Sequence, residues 1–276
     1  MSQPEGTRPD PDAEYVISTA HALADAARAA ILPHFRTSAL HVEDKGGHAR
    51  DAAYDPVTVA DRAAEQAMRA VLCERRPDDG ILGEEFGAQP GTTGLTWVLD
   101  PIDGTRGFVA GTPTWGVLIA LADESGPIYG LIDQPYIAER FEGGLGRARM
   151  CGPLGDRPLA TRATQRLGDA ILCTTFPEVG TERDRAAFEA VAREVKMTRY
   201  GMDCYAYALL AAGQIDLVIE AGLAAYDIQA PIAVIQAAGG IVTDWSGGPA
   251  HHGGRAIAAA NAAQHDAALQ RLSEFA

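Results

Sequence analysis

Cationic residues are scarce in this chain: 23 Lys and Arg stand against 37 Asp and Glu, a formal net charge of −14. Nonspecific binding to nucleic acid needs Lys and Arg to neutralise phosphates, so that class of partner is set aside. Cysteine is scarce too, and Cys73, Cys151, Cys173 and Cys204 show no CxxC spacing. That excludes a disulfide framework or a structural zinc site and leaves buried, reduced thiols as the expectation. No apolar run reaches the ~18 residues of a membrane span. The start, Met1 to Asp12, is polar and proline-bearing, without the basic and then apolar regions of a signal peptide. The expectation is a soluble, cytoplasmic protein with no membrane partner. Repeats, low-complexity tracts and linkers are also missing.

What is present is ordinary globular composition, 276 residues with 47 % hydrophobic and 22 % charged, enough chain for a sizeable core. Residues 1–11 read as a disordered leader and 12–276 as one domain with subregions 12–158 and 159–276. Val16, Ala20, Leu23, Ala27 and Ile31 recur at helical spacing, and Pro33 limits that helix. Residues 41–54 are polar and glycine-bearing and read as a mobile loop. Thr58-Val59-Ala60-Asp61 has capping-box spacing and opens a helix to about Arg76. Short strands are expected at Ile81–Leu82, ending at Glu84-Glu85, and at Trp97–Leu99, broken by Asp100-Pro101. Trp115–Ala122 and Ile128–Asp133 flank a hairpin turn, and Glu139–Phe141 and Ala148–Cys151 extend that sheet. Beyond Leu159 strands near 171–174, 198–200, 217–220, 241–243 and 256 onward alternate with helices near 181–194, 205–212, 227–238 and the C-terminus. The class is mixed α/β, antiparallel first and more α/β-like later.

Carboxylates stand where the backbone turns: Glu84 and Glu85 at a strand end, Asp100 and Asp103 around Pro101-Ile102, Asp227 at a helix start, Asp61 in a first helical turn. Such positions can converge on one cleft. Carboxylates converging without Lys or Arg between them repel one another, and a hard divalent cation such as Mg²⁺ removes the conflict. Asp100-Pro101-Ile102-Asp103-Gly104-Thr105 could aim two aspartates and the Ile102 carbonyl at a metal pair, with Gly104 and Thr105 offering N–H groups to a phosphate. Asp-Pro-x-Asp-Gly is equally a good surface turn.

The sequence resembles the inositol monophosphatase superfamily of Mg²⁺-dependent phosphatases. The blocks that carry the resemblance are Gly83-Glu84-Glu85, Trp97-Val98-Leu99-Asp100-Pro101-Ile102-Asp103-Gly104-Thr105, and Tyr226-Asp227-x-x-Ala230 followed by Ala238-Gly239-Gly240-Ile241-Val242-Thr243-Asp244. Asp55-Pro56-Val57-Thr58-Val59-Ala60-Asp61 matches an upstream element. The resemblance implies an α/β fold, an α+β layered sandwich of alternating α and β layers like inositol monophosphatase and fructose bisphosphatase. It also implies two or three Mg²⁺ ions, with Glu84, Asp100 and the Ile102 carbonyl on the first and Asp100, Asp103 and Asp227 on the second. Glu84 and Thr105 would orient the attacking water, Gly104 and Thr105 would hold the phosphate, and Asp61 would tune a further metal site or its waters. A homodimer is implied as well.

Within that superfamily Gly201-Met202-Asp203-Cys204-Tyr205-Ala206-Tyr207 and the stretch from Thr105-Arg106-Gly107-Phe108 to Trp115-Gly116 are closer to the histidinol-phosphate phosphatase branch. Asp203, Glu220 and Arg199 are the candidate substrate residues, since carboxylates suit a leaving group that bears an amine and an imidazole. Asp203 could instead cap the helix before Tyr205. L-Histidinol phosphate is the expected substrate. Inositol-1-phosphate is the runner-up, fructose bisphosphate and adenosine 3′,5′-bisphosphate stand further back, and a catalytically silent scaffold is the alternative of another class. Glu85 reads as a carboxylate behind the ligands or in solvent, Lys45 as a loop lysine near the metals, and His251-His252 as an exposed turn. Trp97, Trp115 and Trp245 read as strand packing and Cys204 as a buried helix thiol.

Overall fold

The computed structural model describes residues 11–38, 40, 42–44 and 56–275. Helix α1 (Pro11–Ile31) is followed by two short strands, β1 (Val42–Asp44) and β2 (Pro56–Thr58), and by helix α2 (Val59–Arg75). Strands β3 (Gly80–Gly83), β4 (Gly87–Gln89) and β5 (Thr96–Asp103) come next, then a short helix α3 (Thr105–Ala110). A meander follows: β6 (Gly116–Asp123), β7 (Gly126–Gln134), β8 (Glu139–Gly144), β9 (Arg147–Cys151) and β10 (Arg157–Pro158). The remainder alternates: β11 (Ile171–Thr174), α4 (Glu182–Ala192), β12 (Met197–Tyr200), α5 (Asp203–Ala211), β13 (Leu217–Leu223), α6 (Ala225–Ala237), β14 (Ile241–Thr243), β15 (Gly254–Ala259) and α7 (Ala262–Ser273).

Strand alternation turns these elements into layers. Along β6, Val117, Ile119 and Leu121 face one core, shared with Leu23, Ile31 and Met68 of α1 and α2. Leu118, Ala120 and Ala122 face a second core with Tyr207, Leu210, Ile228 and Val234 of α5 and α6. The period of two in a strand dictates this split. In the same way Val218 of β13 joins the second core, whereas Leu217 and Ile219 join a third with Phe188 of α4 and Leu272 of α7. The result is a mixed α/β sandwich: α1 and α2, an eight-stranded sheet, α5 and α6, a five-stranded sheet, then α4 and α7. The large sheet runs β10-β9-β8-β7-β6-β5-β3-β4 and the smaller β12-β11-β13-β15-β14. In the large sheet only β3 and β5 run parallel, while β11 runs parallel to both β12 and β13. No helix among the described residues is long and apolar enough to cross a membrane.

Four sequence expectations change. The first helix begins at Pro11, one residue before the expected Asp12, and residues 1–10 of the expected leader lie outside the described residues. Residues 42–44, expected in a loop, form β1 against β2; the rest of that loop, residue 41 and residues 45–54 with Lys45 among them, lies outside the described residues. Strand β5 does not stop at Asp100 but continues to Asp103, because a backbone irregularity absorbs Pro101. Cys73 is exposed rather than buried, since it lies on the outer face of α2, while Cys173 and Cys204 are buried as expected. The tryptophans pack as expected: Trp97 and Trp115 are fully buried, and Trp245 is almost so.

Helix α6 reaches the large sheet through glycines. A Cβ on Gly143 would stand 2.5 Å from Val234 Cα, and one on Gly130 would stand 2.4 Å from the Ala230 carbonyl oxygen. Gly143→Val is therefore expected to lower stability by about 1–3 kcal/mol, the usual cost of overpacking. Urea unfolding checks this, and an unchanged midpoint would contradict the close approach of α6.

Candidate active site

Strand β5 pairs with β6 so that Asp100 lies opposite Leu118 and Asp103 opposite Gly116. Three steps along β5 thus match two along β6, a bulge of one residue. In a regular strand Asp100 and Asp103 would point to opposite faces. The extra residue returns both to the side of α5 and α6, and the odd residue, Ile102, stays buried with the α1–α2 core. Asp227 enters the same space from the first turn of α6. Carboxylate oxygens of Asp100, Asp103 and Asp227 lie within 4.8 Å of one another, Asp100 buried and the others half-buried. Glu84, just past the end of β3, is tied to β5 by its N–H, which donates to the Leu99 carbonyl at 3.2 Å.

One oxygen of each aspartate is anchored on a backbone N–H. Asp100 Oδ1 accepts from Ile102 at 3.0 Å, Asp103 Oδ2 from Cys204 at 2.6 Å and Asp227 Oδ2 from Ala224 at 2.7 Å. Asp61 Oδ2 likewise accepts from the Thr58 N–H at 2.8 Å and the Thr58 hydroxyl at 2.5 Å, the capping box read in the sequence. Such bonds fix the plane of a carboxylate without neutralising it. Thr105 Oγ1 donates to the Ile102 carbonyl at 3.1 Å and lies 3.4 Å from Asp61 Oδ1. Gly104 has φ +84°, and a Cβ there would come within 2.8 Å of Asp203 Cβ and Cγ. Neither the backbone turn nor the close approach of Asp203 tolerates a side chain at this position.

The electrostatics follow from this crowding. Burial, then the charges of Glu84, Asp103 and Asp227, push the Asp100 carboxyl well above its ordinary value. Burial and the charges of Asp203 and Asp227 do the same to Asp103, against the pull of the Cys204 N–H. Burial raises Asp227 to about 6, and Glu84 adds to it. Burial also raises Asp61 to about 6 and Asp203 to about 6, with Arg106 drawing Asp203 back. A hard divalent cation fits this oxygen-only donor set, since it would offset the mutual repulsion that the shifts record.

The cleft around the cluster has a volume of about 320 Å³. Asp203 and Glu220 both line it. Glu220 is 8 % exposed and accepts from Thr174 Oγ1 at 3.1 Å, Thr175 N–H at 2.7 Å and Thr175 Oγ1 at 3.0 Å; burial raises it to about 7. Asp203 is not the N-cap of α5: Met202 holds that place and no side chain caps the helix. Its backbone takes φ +45°, a left-handed conformation that Asp tolerates better than most residues. Arg199 does not line the cleft. It sits exposed on the edge strand β12 opposite Cys173, and the chain turns toward the site only at Gly201, φ +74°. The guanidinium at the cleft is that of Arg106, 4.7 Å over the ring of Phe176.

Arg106, Thr175 and Phe176 line the cleft without having been expected there. Arg106 follows directly on the Asp100–Thr105 motif, and Thr175 and Phe176 follow a strand end, so position was the available signal. Glu85 is neither in the aspartate cluster nor in solvent: its side chain is 2 % exposed, Arg62 Nε is 3.9 Å away, and its charge acts on Asp61. His251 and His252 form a turn with their rings 4.1 Å apart, away from the cleft.

The sequence profile of the inositol monophosphatase family matches residues 12–276. The chloroplastic bifunctional phosphatase IMPL2 of Arabidopsis thaliana is 42 % identical over 240 residues, 86 % of this chain and 66 % of that protein. A histidinol-phosphatase of Mycobacterium tuberculosis is 38 % identical over 223 residues, 79 % of this chain and 85 % of that one. The solved structure of an inositol monophosphatase from Zymomonas mobilis superimposes with a TM-score of 0.83 at 38 % identity, covering 96 % of this chain and 100 % of the other.

The raised carboxyls fix the sign of a pH effect. Asp61, Asp203 and Asp227 at about 6 and Glu220 at about 7 make the cation-free folded protein bind more protons than the unfolded chain above their ordinary values. Their ionisation therefore costs stability that grows as pH rises through about 4 to 7. A divalent cation is expected to raise the melting temperature more near pH 7.5 than near pH 5, by about 2–4 °C for each kcal/mol regained. Scanning fluorimetry with and without cation checks this, and equal increments at both pH values would contradict it.

Proposed function

From the premise that the chain belongs to the inositol monophosphatase family and is a phosphatase of that family, we propose that it hydrolyses L-histidinol phosphate to L-histidinol and phosphate. The cofactor in this reading is Mg²⁺, two or three ions per site. Glu84, Asp100 and the Ile102 carbonyl would hold one ion, and Asp100, Asp103 and Asp227 a second. Bound there, the cations lower the pKa of water and stabilise the attacking and leaving oxygens of an in-line displacement. Glu84 and the Thr105 hydroxyl orient the attacking water, with Asp61 behind Thr105. The N–H groups of Gly104 and Thr105, at the start of α3 where helical acceptors are lacking, receive the phosphate oxygens. Water adds to phosphorus as the ester P–O bond breaks, and a proton passes to the departing alkoxide. The same reading, by resemblance to the family, takes 12–276 as one phosphatase domain acting in the cytoplasm as a homodimer.

The observation that carries the choice of ester is the presence of Asp203 and Glu220 in the cleft of the aspartate cluster. Histidinol departs with an amine and an imidazole, both donors to carboxylates through charge-assisted bonds. Glu220 alone would serve a polyol equally well, so Asp203 is the discriminating residue. The likeness to a histidinol-phosphatase supports the reading.

Phosphate release from histidinol phosphate, inositol-1-phosphate, fructose-1,6-bisphosphate and adenosine 3′,5′-bisphosphate tests it. Turnover is expected with Mg²⁺ and not with EDTA, and highest kcat/KM for histidinol phosphate. Equal activity in EDTA removes the metal chemistry, and a preference for the inositol ester removes the substrate. Asp103→Asn is expected to cost on the order of 10³-fold on every ester, the several kcal/mol of metal assistance. Asp203→Asn is expected to cost about 10–100-fold on histidinol phosphate alone, the worth of a charge-assisted hydrogen bond. A uniform loss would instead assign Asp203 to holding Gly104 in place.

A further inference from the structure

Helix α2 carries a second acidic residue one turn after Asp61, on the same face. Glu65 is fully buried, and its backbone partners lie in the segment that bears Glu84. Glu65 Oε2 accepts from the Glu85 N–H at 2.7 Å, and Oε1 accepts from the Phe86 N–H at 3.3 Å and from Arg69 Nε at 2.8 Å. Arg69 in turn donates to the Gly87 carbonyl at 2.5 Å and lies 5.9 Å over the Phe86 ring. On the other side of Glu84, a Cβ on Gly83 would stand 2.0 Å from Glu65 Oε1, so this carboxylate occupies the place of a side chain. The backbone before and after Glu84 is thus shaped against one buried group.

We propose that Glu65 is a positioning residue that sets the Glu84 carboxylate relative to the aspartate cluster, and so tunes metal affinity. This rests on the metal-phosphatase reading above. Asp61 and Glu65 together make α2 a common bar: one meets Thr105, the other the turn of Glu84, and these are the groups assigned to orient the attacking water. A carboxylate is needed because everything facing Glu65 donates. Two N–H groups and a guanidinium converge on it, and a glutamine amide nitrogen would meet a donor with a donor. Glu65 reaches no substrate atom in this scheme, and its effect passes through Glu84.

The test compares wild type with Glu65→Gln, which is isosteric, and with Arg69→Lys, which keeps a cation beside Glu65 but loses the fork that also reaches Gly87. Mg²⁺ binding to EDTA-stripped protein is followed by calorimetry, alongside melting temperature in EDTA and the Mg²⁺ dependence of kcat. For Glu65→Gln the expected result is a Mg²⁺ dissociation constant raised about 10–100-fold, the usual effect of losing a group that orients a ligand. Activity should return in part at high Mg²⁺, and Arg69→Lys should move affinity the same way by less. Wild-type Mg²⁺ affinity in both variants, or an affinity loss in Glu65→Gln no larger than its loss of melting temperature accounts for, overturns the positioning role. If Glu65→Gln does not fold, Arg69→Lys alone decides on the same criteria. Wild type that binds no Mg²⁺ overturns the metal reading itself, which separates the two failures.

Discussion

Among the described residues, the leading charges on Asp100, Asp103 and Asp227 are other carboxylates, and that constraint governs the site. Elsewhere the chain buries carboxylates beside cationic partners. Asp133, with no exposed surface, is held by Arg28 and Arg140 at 2.7 Å. Burial would raise Glu142, yet hydrogen bonds from His21, Tyr129 and Arg149 bring it down to about 2. In the cleft the pattern reverses: burial raises the Asp100 carboxyl, and the leading charges on it, all carboxylates, raise it further. Arginine is available to this fold for neutralising buried acids, and among the described residues none is a leading charge on Asp100, Asp103 or Asp227. A cluster of that kind costs stability, which a bound cation would offset.

What holds the cluster against its own repulsion is the backbone. The bulge in β5 brings two aspartates to one face, and the starts of α2 and α6 anchor Asp61 and Asp227 through N–H groups that a helix leaves unsatisfied in any case. The devices that complete the local hydrogen bonding are therefore the ones that aim the acids. Glu84 is the exception, since its own N–H ties it to β5 while the turn around it leans on Glu65 and Arg69.

This division explains how far the site could be read from the residues. The capping box at Thr58 and Asp61 and the helix start at Asp227 are local patterns, and each stands where its spacing put it, whereas the turn expected at Asp100-Pro101 is strand. The bulge was not legible, because it depends on register against β6, and a strand that ends at Asp100 satisfies the same local rules as one that continues. Asp203 showed the spacing of an N-cap, but its left-handed backbone and its packing on Gly104 are tertiary facts. Arg199 precedes Asp203 by four residues, and only the turn at Gly201 decides that one reaches the cleft and the other stays on a sheet edge. Cys73 shares the apolar composition of α2 without sharing its buried face.

The two sides of the cleft also differ in what supports them. Asp100, Asp103 and Asp227 stand on a central strand and a buried helix, elements whose positions two cores fix together. Thr175, Phe176, Arg106 and Asp203 stand on a loop, a short helix and the left-handed first residue of α5. Rigid elements suit chemistry that must not vary, and loops suit recognition that can be changed without disturbing it. The sides meet at Gly104, where Asp203 lies against the backbone assigned to hold the phosphate. On the proposed reading, a substitution at Asp203 would act on the leaving group through its charge and on the phosphate through its volume. Asparagine keeps nearly the same volume and removes the charge, so a loss confined to one ester isolates the first effect from the second.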